Sequence, residues 1–411
     1  MSGAWRPLLD GDEARRARVV IDRVARALAD GTRDGSSLEA GQAGIALMMA
    51  ALAREGDEEA ADRAVAAAER AADALPEAPW LLSGMAGIAW VIEHVRDLIE
   101  PDEEGLEEID RALARLVALP TWPFEVELRA GLAGIAVYAL ARAGRADADR
   151  VLVGALDHLE RLAVRRGDGA VWLSPPDAGD LDPEEKLANP DGYLNLGMAH
   201  GLCGVVALLA ELVASGAGDP ARARALLAPA VRALLDQDAG GAGPRYALLG
   251  GERLVPRPPL SGWCAGDLAA AAALIRAGQA AGEPRWIEHG RELARHSAAS
   301  GPDQLDARLA GDPTFCHGAS GRGHVLNRIA QATGDRELEQ AARAWLVRAL
   351  AMAEERGPAP PGRGGLRDGA AGTALALLAG CTDREPAWDR PLLVALPPAG
   401  SGGGASGAPR P

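Results

Sequence analysis

The chain has 411 residues and a formal net charge of -15; 48% of its residues are hydrophobic by type and only 3% aromatic. With so few aromatics, Ala and Leu must fill the core, which favours helices. The acidic balance excludes the basic footprint expected of a nucleic-acid binder, and no apolar run reaches the roughly 18 residues that a membrane span needs.

In chain order, Met1 to Pro7 carries no apolar signal region and leads into a charged segment from about Asp12 to Asp30. Its spacing predicts a helix with Val19, Val20, Val24 and Leu28 on one face. A Gly-x-x-Gly step follows at Gly41–Gly44 and recurs at Gly84–Gly87, Gly131–Gly134, Gly201–Gly204, Gly318–Gly321 and Gly369–Gly372; Gly266 holds the corresponding place in a fifth unit. The intervals between first glycines are 43, 47, 70, 65, 52 and 51 residues. Units of this size signal a repeat architecture, because each is too small to bury its own apolar face. Each step leads into an apolar helix such as Ile45–Leu52, Val205–Val213 or Thr373–Leu378. Charged helices are expected near Glu58–Leu75, Asp102–Val117, Ala146–Leu162, Pro220–Leu235, Trp286–His296 and Arg336–Met352. Apolar helices belong inside and striped ones outside, so the expected fold is all-α, with about seven inner and seven outer helices in two layers. If such a ring closes, the glycine-rich starts of the inner helices surround a common mouth. Two irregular insertions interrupt the repeats, near 170–195 and 239–261, and residues 396–411 have the composition of a disordered tail.

The chemistry-bearing residues lie at the glycine steps. Cys316-His317 directly precedes Gly318, Cys264 stands two residues before Gly266, and His200 directly precedes Gly201. Two thiols and an imidazole suit a zinc site with one open position, and helix N-termini favour the thiolate that a metal requires. The plain alternative is a pair of buried structural cysteines with a capping histidine. His200 serves either as a fourth ligand, which would close the site, or as an acid/base near neutral pH. Glu127, four residues before Gly131, can bring a carboxylate to the mouth, although such a residue is often just solvated. Arg129, Arg257 and Arg322 are candidates for binding a peptide carboxylate or an enolate. Cys203 and Cys381 read as packing thiols, and His324 as a structural residue or one that supports a ligand from behind. His94, His158, His289 and His296 are expected at the surface. Four widely spaced cysteines form no disulfide framework, which points to a reducing, cytoplasmic setting.

The stretches Asn195-Leu196-Gly197-Met198-Ala199-His200-Gly201, Trp263-Cys264-Ala265-Gly266 and Cys316-His317-Gly318, with the ending Ala387-Trp388-Asp389-Arg390, resemble the signatures of lanthionine synthetase C-like (LanC) cyclases. The resemblance covers roughly residues 10 to 395 and implies an α/α-toroid with a Zn2+ ion at its mouth. It assigns Cys264, Cys316 and His317 as ligands and His200 as the catalytic acid/base, with Glu127 at the place of the family's usual Asp. It further implies a cyclase that adds a cysteine thiolate to dehydroalanine or dehydrobutyrine in a dehydrated precursor peptide, closing (methyl)lanthionine rings. A separate dehydratase and an exporter are the implied partners, which makes a peripheral place at the inner face of the membrane the alternative to a free cytoplasmic one. Two positions depart from the family: Ala265 stands where a Tyr is common, and Leu260 where an Arg is common. A non-catalytic zinc-containing scaffold toroid, or a thiol-transferring relative with another substrate, are the competing readings.

Overall fold

The computed structural model describes residues 5–29, 35–99, 102–178, 181–238, 261–299, 312–357 and 363–399, with the backbone of 249–250. Fifteen α-helices dominate the described residues. They group into two compact units: the described residues up to Ile109 and from Ala298 onward form one, and Asp110–Ser297 form the other.

Seven helices are buried on nearly every side: α2 (Gln42–Ala53), α4 (Met85–His94), α6 (Leu132–Ala141), α9 (Leu202–Ser215), α11 (Asp267–Ala281), α13 (Ala319–Thr333) and α15 (Ala370–Cys381). Seven others bury one stripe: α1 (Gly11–Leu28), α3 (Glu58–Asp73), α5 (Glu103–Val117), α7 (Ala146–Leu162), α10 (Pro220–Leu235), α12 (Pro284–Ala299) and α14 (Arg336–Arg356). Each kind alternates with the other along the chain, and α2 packs on α3, α9 on α10 and α13 on α14. In α1 the buried set is Ala17, Val20, Ile21, Val24, Ala25 and Leu28, whereas Val19 is exposed. At about 100° per residue, Val19 falls off the stripe that Ile21 completes, which corrects the expected face.

The two kinds of helix also start differently. Several striped helices carry a side-chain cap: Asp57 accepts from the Ala60 N–H, Asp219 from Arg222, and Asp335 from Glu337, satisfying donors that would otherwise lack a partner. The buried helices begin at a glycine with no side-chain cap. In α2, α4, α6, α13 and α15 the first N–H bonds instead to the carbonyl seven residues upstream: Gln42 to Gly35 (2.7 Å), Met85 to Ala78 (2.8 Å), Leu132 to Glu125 (3.1 Å), Ala319 to Asp312 (2.9 Å) and Ala370 to Arg363 (3.0 Å). The incoming loop therefore folds back onto the helix start. A Cβ on the second glycine would strike the carbonyl six residues back, as at Gly87 against Leu81, Gly204 against Met198, Gly321 against Phe315 and Gly372 against Leu366. The Gly-x-x-Gly step is the signature of this close approach.

Three residues before each first glycine stands a large apolar side chain that is fully or almost fully buried: Leu38, Leu81, Leu128, Met198, Trp263, Phe315 and Leu366. These side chains plug the loops into the core. The backbone next to them laces neighbouring loops together. In the first unit, Cys316 N–H donates to the Arg367 carbonyl (3.0 Å), Arg367 to Glu39 (2.9 Å) and Glu39 to Leu82 (2.9 Å). In the second, Arg129 donates to Ala199 (3.2 Å) and Ala199 to Cys264 (3.3 Å). The first unit also ties the start of the described chain to α15, with Trp5 Nε1 donating to the Ala379 carbonyl at 2.9 Å.

The insertion near 170–195 is a small folded piece. A hairpin of β1 (Val164–Arg166) and β2 (Gly169–Val171) leads to a bridge between Ser174 and Tyr193, with α8 (Pro183–Ala188) between them. Strand β3 (Leu194–Asn195) pairs with β4 (Leu249–Gly250). The rest of the 239–261 insertion up to residue 260, including Arg257 and Leu260, lies outside the described residues, as do 400–411. Leu396 is fully buried and Ala399 N–H bonds to the Gln331 carbonyl at 3.1 Å, so the packed chain runs past 396. Among the described residues, no helix is long and apolar enough to cross a membrane.

Candidate metal and acid–base site

In the Asp110–Ser297 unit, three loops carry Glu127, His200 and Cys264. Each is set by its own sequence. Asn195 Oδ1 accepts from the Gly197 N–H at 2.8 Å, closing an Asx-type turn. Gly197 then lies against the Cys264 carbonyl, where a Cβ would come within 2.5 Å, and Met198 N–H donates to that same carbonyl at 2.8 Å. Gly201 lies against the Asn195 carbonyl. The motif Asn195 to Gly201 is thus a tight turn pressed onto the cysteine loop, and it fixes the backbone on both sides of His200. On the opposite side, the N–H groups of Leu128 and Arg129 both donate to the Ala199 carbonyl, at 3.1 and 3.2 Å. That lacing brings the Glu127 loop to His200.

The side chains of these two residues meet. Glu127 Oε2 lies against His200 Nδ1, and Glu127 Oε1 accepts from the Ala130 N–H. The carboxylate is 4% exposed and the imidazole 41%. A buried, backbone-anchored carboxylate therefore holds one face of a solvent-reachable ring. With Nδ1 engaged, Nε2 is the nitrogen left to exchange a proton. Glu125 lies half-buried nearby; burial, with the neighbouring Glu127 charge, raises its carboxyl above the ordinary value. Cys264 is buried, and Ala265 beside it is fully buried and adds no polar group.

In the other unit, Cys316 is buried and its Sγ is 3.7 Å from His317 Nε2. The hydrogen bond to Cys316 raises the His317 pKa, with Cys316, Asp368 and Asp312 adding charge attraction against an opposing burial effect. Arg322, one turn into α13, is buried; its Nε donates to the His317 carbonyl at 3.4 Å and its guanidinium lies 5.0 Å from the Trp345 ring centroid. It is part of the packing around the loop rather than a free anion-binding group. The loop thus offers one thiol and one imidazole, and Cys264 of the other unit offers a second thiol; by type, two thiols and one imidazole suit a tetrahedral zinc with one open position.

Cys203 is fully buried and burial pushes its thiol far up; Cys381 is pushed up to about 11 by the same cause. Both are inert packing thiols. Two histidines expected at the surface are held by partners. His158 is 1% exposed, with Nε2 at 2.8 Å from the Val117 carbonyl. His94 stacks on Trp90 at 4.8 Å and meets Arg54 at 3.0 Å. His158 sits on a striped helix and is buried against the carbonyl that ends α5, whereas His94 ends one of the buried helices rather than an outer one; periodicity carries neither fact. His324 is fully buried and pairs with Asp389 at 2.7 Å. The fixed apolar position three residues before each glycine was also missed, though aligning the seven loops on their glycines exposes it.

The family described as Lanthionine synthetase C-like protein matches residues 32–393. The structure is similar to that of a nisin cyclase, with a TM-score of 0.71 and 18% identity, over 92% of this chain and 96% of that one. It is also matched, at a TM-score of 0.42 and 12% identity over 84% of this chain and 98% of that one, by a polysaccharide lyase. No curated protein matches the chain. The first structural match carries the expected fold class, an all-α toroid.

Proposed function

Because the chain belongs to the lanthionine synthetase C-like family, we propose that it is a zinc-dependent peptide cyclase. It adds a cysteine thiolate to dehydroalanine or dehydrobutyrine in a dehydrated precursor peptide and forms (methyl)lanthionine thioether rings. Cys264, Cys316 and His317 hold the Zn2+. The observation that carries the reading is the contact between His200 and the buried, anchored Glu127, on a loop hydrogen-bonded to the Cys264 backbone.

Bound by that set, zinc supplies Lewis acidity that lowers the pKa of an incoming thiol. The protein's own residues do the rest. Glu127 fixes the His200 ring through Nδ1, so Nε2 is the nitrogen left to pass a proton. As the thiolate attacks the β-carbon, charge moves to the carbonyl as an enolate. His200 delivers its proton from Nε2 to the α-carbon and is recharged by the proton that the substrate thiol lost, so the addition is proton-neutral. The acidic chain fits a basic peptide region. A separate dehydratase must supply the alkene, an exporter can remove the product, and a cytoplasmic setting suits free thiols.

A second reading has one observation behind it. The buried Ala265 leaves out the polar group common at that place, which favours a related thiol addition on another substrate. The test is elemental zinc analysis of the wild type and His200→Ala, followed by mass spectrometry of dehydrated peptides. One zinc per chain in both, with ring closure lost only in the variant, supports the proposal. Loss of zinc in His200→Ala makes His200 a ligand and closes the site; an absence of zinc in the wild type sinks the reading.

A further inference from the structure

We infer that the buried cluster of His324, Trp388 and Asp389 is a positioning device for the Cys316 thiol. The catalytic meaning of this inference rests on Cys316 being a zinc ligand; the bracing itself is a property of the zinc-free chain.

The chain of contacts begins one residue before Cys316. Phe315 is fully buried as the apolar plug of its loop. Its ring meets Trp388 edge-on at 5.6 Å and lies 5.7 Å from the His324 ring, and those two rings are 4.5 Å apart. Such edge-on and tilted packing is geometrically selective, so Phe315 has one place to sit. The His324 ring is itself fixed, with Nε2 2.7 Å from Asp389 Oδ2. Asp389 is then clamped by Arg328, through Nε to Oδ2 at 2.7 Å and a terminal nitrogen to Oδ1 at 2.9 Å. Arg328 reaches Glu385 at 2.8 Å, bonds the Pro386 carbonyl and lies 4.9 Å from the Trp5 ring centroid. On the other side, the Cys316 N–H is bonded to the Arg367 carbonyl at 3.0 Å. With its neighbour's ring wedged and its own N–H engaged, Cys316 is held from both directions.

Burial alone would raise the Asp389 carboxyl, but Arg328 and His324 hold it below the usual carboxylate range. Burial lowers His324 more than Asp389 raises it. The ring is therefore neutral at pH 7, with its Nε2 proton shared toward Asp389. A fully buried ion pair is a weak stabiliser, because desolvation offsets its attraction. What this one provides is a fixed orientation for the ring under Phe315. Outer groups that orient a metal ligand are worth about 10–100-fold in metal affinity.

The test is the alkylation rate of each cysteine by iodoacetamide in the full zinc-free chain, resolved by peptide mass spectrometry well below the melting temperature. His324→Leu and Phe315→Leu should each speed Cys316 by about 10-fold through local opening, with Cys203 and Cys264 unchanged. Chelator competition should then show zinc bound about 10–100-fold more weakly. Phe315→Leu leaves the ion pairs intact, so it remains informative if His324→Leu does not fold. Tyr138→Phe, in the separate buried cluster with Asp110 at 2.7 Å, should lower stability without moving either readout. A Cys316 rate equal to wild type, Cys203 accelerating in step, or an unchanged zinc affinity in a zinc-binding variant overturns the inference. If the wild type takes up no zinc, the cyclase reading fails, and the cysteine rates alone still decide the bracing.

Discussion

At Glu127 one carboxylate serves two partners, the Ala130 N–H on Oε1 and His200 Nδ1 on Oε2. The first is a structural bond that a neutral amide oxygen can also accept. The second is made by an ionisable carboxylate oxygen to a ring nitrogen, a contact that a neutral amide serves less well. Glu127→Gln should therefore keep the fold and the zinc while lowering kcat by roughly 10–100-fold. KM should change little, since the carboxylate is too buried to touch a peptide. Combining it with His200→Ala should add no further loss, because the two act as one unit. Steady-state cyclisation kinetics over pH check this, and fully additive losses would mean that Glu127 acts on its own. Glu127→Asp keeps the charge but shortens the reach, so a rate near wild type would place the contact's value in charge alone.

At the scale of the element, the two glycines that open a buried helix deserve different treatment from an ordinary helical glycine. Ala is normally better than Gly inside a helix by about 1 kcal/mol. At Gly87 the added methyl would run into the Leu81 carbonyl and close on Leu38, both part of the laced loops. Gly87→Ala should cost about 1–3 kcal/mol as an overpacking strain. Gly105→Ala, where the methyl meets only the end of the Asp102 side chain, should be neutral or mildly stabilising; denaturant unfolding of the pair measures the contrast. Much of this level was legible beforehand. The expected bounds of α7 and α10 match those observed, and in α10 Asp219 and Pro220 are an unmistakable helix start. Cys316, His317, Cys264 and His200 stood out because reactive side chains recur at one register of a repeat. What could not be read was partnership across long separations. Helix α13 carries His324, Asn327, Arg328 and Gln331, and by polarity it does not look like a buried helix. It is buried because the segment around Glu385 to Leu396 returns to satisfy it, and nothing local encodes that return. The contact of Glu127 with His200 is of the same kind: the spacing permitted it, but only the bond from the third loop to the fourth creates it.

For the whole molecule, two opposing effects set the response to acid. The formal charge of -15 at neutral pH means that mild acidification first relieves self-repulsion. Against this stand histidines held neutral inside. Burial, reinforced by Arg54, lowers His94 to about 3, and burial lowers His324 as well. In the unfolded chain both titrate near 6.5. Below that pH the unfolded state binds more protons than the folded one, so stability present above about 6.5 is lost as pH falls. For His94 the loss continues down to about pH 3. Asp389, held below the usual range against its burial, adds a further loss only at the acid extreme, below an unfolded value near 3.9. His94 keeps some solvent contact, so its share at pH 4 is discounted to on the order of 1–2 kcal/mol. His94→Gln can still accept from Arg54 but does not titrate. Its Tm should fall less steeply than that of the wild type between pH 6.5 and 4, and calorimetry at half-unit steps separates this slope from the shared relief of charge. Parallel curves would show that His94 charges freely in the folded state, and that its stacking on Trp90 and its contact with Arg54 exert no hold on its proton.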